Sequence, residues 1–437
     1  MNIKKVLSIF LALAIMLGTI PGMSFAVSAE DEPAAEPEAE TVTITNQQTS
    51  GTMTVSLTVP ARDPIPYLDA DGTEKQTGPD CYDVYTTDTS LGFKSAEQWY
   101  VVLESMTLET TAALIILGDV KLVICDGATL TVPHGINLDN GSITVYAQST
   151  DEQTMGKLIA NAHDDSCAAI GSSASKTPGT ITVNGGNINA TGGENGAAIG
   201  GGSGSKNVNV TINGGVVTAT GGANSAAIGG GAGSTNVNVT INGGDVTAIG
   251  GANSAAISGN LTVNDGTVNA TGSGNGAAIS GSITVSGGTV TADAANGAAI
   301  DCDLTVSGGV VTATGGANSA AINGNLTVDD GTVNVTVGGE SAAINGNLTV
   351  EGGDVTVDSA NSTAIGGELT VNGGVVTATG VPALSGNPTV ADDMFAKAGD
   401  SEAAAVVTDL DQLDDKNYVL ITPKYTVTSV PPIRCRW

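Results

Sequence analysis

The stretch "NGGVVTATGGANSAAI" occupies residues 213–228, and it returns as "NGGDVTAIGGANSAAI" from Asn242 and as "SGGVVTATGGANSAAI" from Ser307. Its closing AAI works as an anchor. That anchor, or a variant of it, ends at Ile170, Ile199, Ile228, Ile257, Ile279, Ile300, Ile322, Ile344, Ile365 and Leu384, at intervals of 29, 29, 29, 22, 21, 22, 22, 21 and 19 residues. Self-similarity at such a period is the mark of a solenoid, in which no unit buries its own core and stacking neighbours do it together.

Each short unit holds three β-like runs, of the type LTV, VTAT and AAI, parted by NGG, GGANS and a small-residue turn. β-branched residues alternate with polar ones, which suits strands with one buried face. Glycine supplies the backbone angles of tight corners. Three short strands and three corners make one coil of a parallel β-helix, with inward residues such as Ile257, Leu261, Val263 and Val268. The longer units add "GGGSGSKNVNV" (residues 200–210) and "GGGAGSTNVNV" (residues 229–239), which read as loops bulging from one corner. No apolar 3.6-residue period exists, so no helices are expected. The predicted fold is all-β, a right-handed parallel β-helix of about 22-residue coils, with a short N-terminal β segment and a C-terminal cap. About twelve coils at ~4.8 Å give a rod on the order of 60 Å long.

The flanks define the remaining boundaries. Lys4 and Lys5, the apolar run Val6 to Ile20 and the small residues Ser24, Ala26 and Ala29 read as a signal peptide over 1–29. "EDEPAAEPEAE" is an acidic linker, 30–40, too polar to bury a core. Residues 41–98 read as the N-terminal β segment, 99–390 as the β-helix and 391–437 as a cap with a truncated tail. Asp69, Asp71 and Gly72 resemble the opening of a calcium loop, but the later ligands are missing and a tight turn is expected.

The chain has 437 residues, 44 acidic and 14 basic, with a formal net charge of −30. Removing the signal removes two lysines, so 12 − 44 leaves −32. That charge repels nucleic acid and anionic membranes, and no second apolar run is long enough to span a bilayer. The five cysteines form no CxxC pair, which excludes zinc and dithiol redox motifs.

"YLDADGTEKQT", "WYVV", "GDVKLVICDGATLTV", "GINL", "SITVYAQS" and the "NGGxVTATGG…AAIGGG" coils together span about Tyr67 to Pro423. This stretch resembles a module of secreted and surface proteins from clostridia-like Gram-positive gut bacteria. It is also similar to the wider right-handed β-helix group, which includes pectin lyases, polygalacturonases and a polygalacturonate-binding branch with calcium sites. The resemblance implies a secreted, extracellular, carbohydrate-binding or adhesin-like protein. In similar proteins "NYVLITPKYTVT" leads into further repeats or wall-attachment domains. Here "SVPPIRCRW" follows, without an LPxTG motif, so surface attachment is expected to have resided in a missing C-terminal region.

Catalysis is not expected, and no catalytic residue is assigned. A lyase of this fold needs a base, yet Lys206 to Lys397 encloses no Lys or Arg, and no His follows His163. His134, His163 and Lys157 read as isolated turn residues. Hydrolysis would need two carboxylates about 5–9.5 Å apart, for which Asp301 with Asp303 and Asp329 with Asp330 are the candidate pairs. The glycine-rich loops lack the spacing of a phosphate loop and the Asp of a calcium-binding nonapeptide.

Binding is expected where the repeat changes. Thr182, Thr211, Thr240, Thr262, Thr284, Thr305, Thr327, Thr349 and Thr370 should form one outward column, with Asn184, Asn213, Asn242 and Asn264 heading a second beside it. Threonine ranks also occur in ice-binding solenoids, but the second rank here becomes irregular and acidic. Asp329, Asp330, Glu351 and Asp354 are the calcium candidates, on one corner of neighbouring coils. Asp301, Asp303, Asn323, Asn325, Asn345 and Asn347 form a ridge suited to sugar hydroxyls, or a solvated turn ladder. Between Tyr146 and Phe395 there is no aromatic residue, so any stacking must come from Trp99, Tyr100, Tyr82, Tyr85 or Tyr146, which could equally cap the solenoid. The expected role is a non-enzymatic polysaccharide-binding or adhesin-like protein. The alternatives are a passive stalk or, third, a pectin-type hydrolase or lyase.

Overall fold

The computed structural model describes residues 40–46, 51–57, 63–78 and 81–424. The expected signal peptide, the linker through residue 39 and the tail from 425 lie outside them. Residues Glu40–Asn46 and Gly51–Leu57 pair as an antiparallel hairpin.

The rest is a right-handed parallel β-helix with three ladders. The first joins the anchor positions: Leu114, Ile136, Ile170 and Ile199 pair in succession, and the chain of pairs continues to Ile365 and Leu384. The second runs from Val120 and Ile143 through Ile181, Val210 and Leu261 to Leu369. The third runs from Leu130, Leu158 and Ile188 to Val355 and Val376. All these side chains point inward and are at most 4 % exposed. Removing one such side chain from water is worth roughly 1.5–3 kcal/mol. The benefit recurs on every coil, which explains why the phrase repeats.

The corner between the second and third ladders shows why the sequence writes NGG. Its second glycine has a left-handed backbone on coil after coil, for example Gly215 at φ 86°, Gly244 at 83° and Gly374 at 73°. A side chain there is strained. It would also collide, since a Cβ on Gly244 would lie 2.6 Å from the Gly215 carbonyl oxygen.

Two expectations change. The insertions of the longer units are loops only in their first half, residues 201–205 and 230–234. Lys206–Ile212 and Thr235–Ile241 are seven-residue strands in register, which lengthen the second ladder. Their V-N-V-T-I alternation continues the pleat and buries Val208 and Val237. The parallel pairing also starts before residue 99: Cys81–Asp83 pairs in parallel with Ser90–Val102. Those rungs lack the AAI phrase and hold a register shift between Gly92 and Glu97, so the period does not reveal them.

At the C-terminal end the direction reverses. Tyr418–Pro423 lies antiparallel on Val375–Thr379, followed by Met394–Gly399 and Val406–Thr408. This closes the third ladder's parallel edge. No helix among the described residues is long and apolar enough to cross a membrane.

Candidate functional site

The outer face of the second ladder carries the threonine column. Register pairs align Thr144, Thr182, Thr211, Thr240, Thr262, Thr284, Thr305, Thr327, Thr349, Thr370 and Thr389, one per coil. It is longer than the expected column by one threonine at each end. Lys121 Nζ donates to the Thr144 hydroxyl at 3.1 Å. Among the described residues, the other ten hydroxyls make no hydrogen bond to protein, and none is buried without a partner.

The neighbouring column behaves differently. Asn213 Nδ2 donates to Asn184 Oδ1, Asn242 to Asn213 and Asn264 to Asn242, each at 2.7 Å. This ladder spends its amides on itself, so it stiffens the rod. Two neighbouring columns therefore differ: each asparagine amide is already engaged along the axis, whereas ten of the threonine hydroxyls have no protein partner.

The sugar-contact candidates resolve the same way. Asn323 Nδ2 donates to Asp301 Oδ1 at 2.8 Å, and Asn345 Nδ2 to Asn323 Oδ1 at 3.0 Å. Asp303 and Asn325 instead accept the backbone N–H of Asn325 and Asn347, and Asn347 accepts that of Glu368. These residues form an exposed turn ladder with hydrogen bonds running along the axis. Cys302 sits between the two acids. Burial pushes its thiol up to about 12, reinforced by Asp301 and Asp303.

The calcium candidates lie on two adjacent coils. Asp329 and Glu351 follow the paired Val328 and Val350 and stack on adjacent coils. Asp330 folds back to accept the Gly331 N–H at 2.8 Å. Asp354 opens a strand of the third ladder, beside Thr332 and Val375. Glu351 is already engaged by Asn372 at 2.9 Å. Asp329, Asp330 and Glu351 lie in the corner between the second and third ladders of two adjacent coils, and Asp354 opens the strand that leaves it. Among the described residues, no group of three or more His, Cys, Asp or Glu is placed to hold a metal ion.

The predicted tight turn at Asp69–Gly72 is present, with Pro66–Leu68 pairing against Glu74–Gln76 and Gly72 at φ 76°. The hairpin packs against the outside of the rod, where Gln148 Nε2 donates to the Pro66 carbonyl at 3.1 Å. Its Tyr67 ring contacts Trp99 at 4.7 Å and Tyr146 at 4.8 Å, and Trp99 lies 5.2 Å from Tyr146. Tyr67 and Tyr146 are buried and Trp99 is half-buried. Burial raises both tyrosine hydroxyls above their ordinary value. Tyr82 and Tyr100 stack separately, at 5.5 Å.

Sequence reasoning missed Tyr67 and Lys121 as members of this group. Register pairs Trp99 with Lys121 and Lys121 with Thr144, so all three occupy the threonine column. Aligning "QWYVV", "DVKLVI" and "SITVYA" as successive rungs would have found this.

The histidines are not isolated: His134 and His163 meet edge-on at 5.5 Å. Beside them lies an open cavity of about 410 Å³, lined in part by His163, Asp164, Cys167 and Ser173. Burial and a hydrogen bond with Asp164 raise the Cys167 thiol, which keeps it protonated and a poor nucleophile.

A family model described as "Beta helix repeat" matches seven segments: 181–203, 210–232, 239–260, 261–282, 283–302, 304–324 and 369–391. Over those segments the chain is similar to this repeat, in keeping with the parallel ladders described above. No curated protein and no solved structure matches it significantly.

Proposed function

We propose that this is a non-catalytic extracellular protein, adhesin-like in setting, that binds extended polysaccharide along the outer face of its second ladder. The observation that carries the reading is the threonine column, a row of hydroxyls one coil apart, all but that of Thr144 unspent on the protein. Each hydroxyl offers a donor and an acceptor to a sugar hydroxyl. One such contact is weak, but contacts repeated along a rigid rod add as linked events without a new ordering cost for each. Support for a non-catalytic role comes from the bonding of Asp301 and Asp303 into the turn ladder and from the missing base along the coils. Export is supported by the N-terminal pattern and the acidic charge.

The test is binding of the full chain to a panel of plant and mucin polysaccharides, with released sugar assayed in the same wells. The reading expects saturable binding and no product. Released product would support the hydrolase or lyase, and absence of binding to every polymer would support a passive stalk.

A further inference from the structure

We infer that the threonine column is a track with a defined end, where Trp99 stacks on a ring of a neutral glycan and fixes where that chain docks. This rests on the glycan-binding reading above and deepens it. Trp99 stands two rungs before Thr144 in the same column, so a chain lying on the threonines runs onto the indole. The indole is held in place: Tyr67 and Tyr146 pack against it, and its Nε1–H donates to Glu97 Oε1 at 3.2 Å. A partly exposed aromatic already fixed by neighbours loses little freedom on binding, and its π face suits the apolar C–H face of a pyranose.

Charge selects the class of glycan. Lys121 is the one cation set into the column head, and it already faces Asp119 at 3.2 Å and Glu97 at 4.0 Å. Further along, no Lys or Arg occurs between Lys206 and Lys397, while Asp329 and Glu351 flank the threonines. A polyuronate would meet like charge beside Thr327 and Thr349, and from Thr240 to Thr389 there is no Lys or Arg to offset it; Lys206, exposed on the strand of Thr211, lies before that stretch. A neutral polymer of hexoses or pentoses meets hydroxyls and one aromatic platform. The chemistry thus favours neutral glycans over the pectin-type acids that the fold resemblance suggests.

The experiment follows Trp99 fluorescence in the full chain carrying Trp437→Phe, so that one indole reports. Galactomannan, xyloglucan, mixed-linkage β-glucan and polygalacturonate are titrated in turn. At least one neutral polymer is expected to give a saturable emission change, and polygalacturonate none. Loss of the indole in Trp99→Ala, scored by a pull-down that needs no fluorophore, should weaken binding about tenfold or more. Trp99→Phe keeps a packed ring and should bind between the two, so it decides the matter if Trp99→Ala fails to fold. Neutral-glycan binding unchanged in both folded variants would overturn the inference and leave the glycan-binding reading standing. So would binding of polygalacturonate as tight as that of any neutral polymer. If the parent chain binds none of these neutral or acidic polymers, the inference falls, and the wider panel above decides whether the reading falls with it.

Discussion

The rungs between residues 81 and 161 and the coils between 181 and 379 share one architecture but use it differently. The later coils are nearly interchangeable: each buries the same few aliphatic side chains, and each turn ladder is satisfied by the next coil. The early rungs break the phrase with a register shift, an outer hairpin, a lysine and the stacked aromatics. Regularity supplies length and stiffness. The exceptions supply chemical distinction, and those with spare capacity lie at the end where the repeat is weakest.

The comparison breaks most sharply in the core of the regular coils. Ile257→Ala removes a fully buried side chain between Ile228 and Ile279, and should cost about 2–5 kcal/mol in urea unfolding. A loss no larger than that of a surface change would deny that the coils share a core.

A smaller effect is expected in the asparagine ladder. Asn213→Ala leaves the Asn184 carbonyl and the Asn242 amide to water, at a cost of about 0.5–1.5 kcal/mol. Glycan binding should persist in that variant, because the ladder is spent on the rod. A binding loss greater than the loss caused by removing threonine hydroxyls would reverse the assignment of the two columns.

Cys302 gives a pH signature. Its folded pKa lies above that of an unfolded thiol, about 8.5. The protonated thiol's contribution is therefore fully present below about pH 8.5 and is lost as pH rises toward about 12. Unfolding midpoints from pH 7 to 11 should fall more steeply for the parent chain than for Cys302→Ala. Thiol labelling of Cys302 at pH 8 should be slow in the folded protein.

The smallest effect concerns metal. Chelation with EDTA should leave both stability and glycan binding unchanged, because among the described residues no group of three or more His, Cys, Asp or Glu is placed to hold a metal ion. A calcium-dependent rise in melting temperature, abolished by Asp329→Asn with Glu351→Gln, would restore the sequence expectation.

Much of the fold was legible because burial repeats with the coil. Ile170 through Leu384 could be placed in one ladder from spacing alone. The first coils were not, since Leu114 and Ile136 belong to that ladder without the AAI phrase. The "KNVNV" insertion was misread because glycine at its start suggested a loop, whereas alternating Val and Asn extends a strand. The threonine column was visible from period two, but its meaning was not. Whether Thr or Asn has spare valence depends on cross-coil distances, which spacing does not give. The aromatic head was harder still, because Tyr67 reaches Trp99 and Tyr146 through an outer hairpin rather than through the repeat.

The most direct measurement compares the parent chain with a Thr240→Val, Thr262→Val, Thr284→Val variant for saturable binding to neutral polysaccharide, with unfolding midpoints recorded alongside. Valine keeps shape and strand preference while removing the hydroxyls. The predicted result is weakened polymer binding with the midpoint unchanged or raised. Undiminished binding in the folded variant would contradict the claim that this column is the binding face.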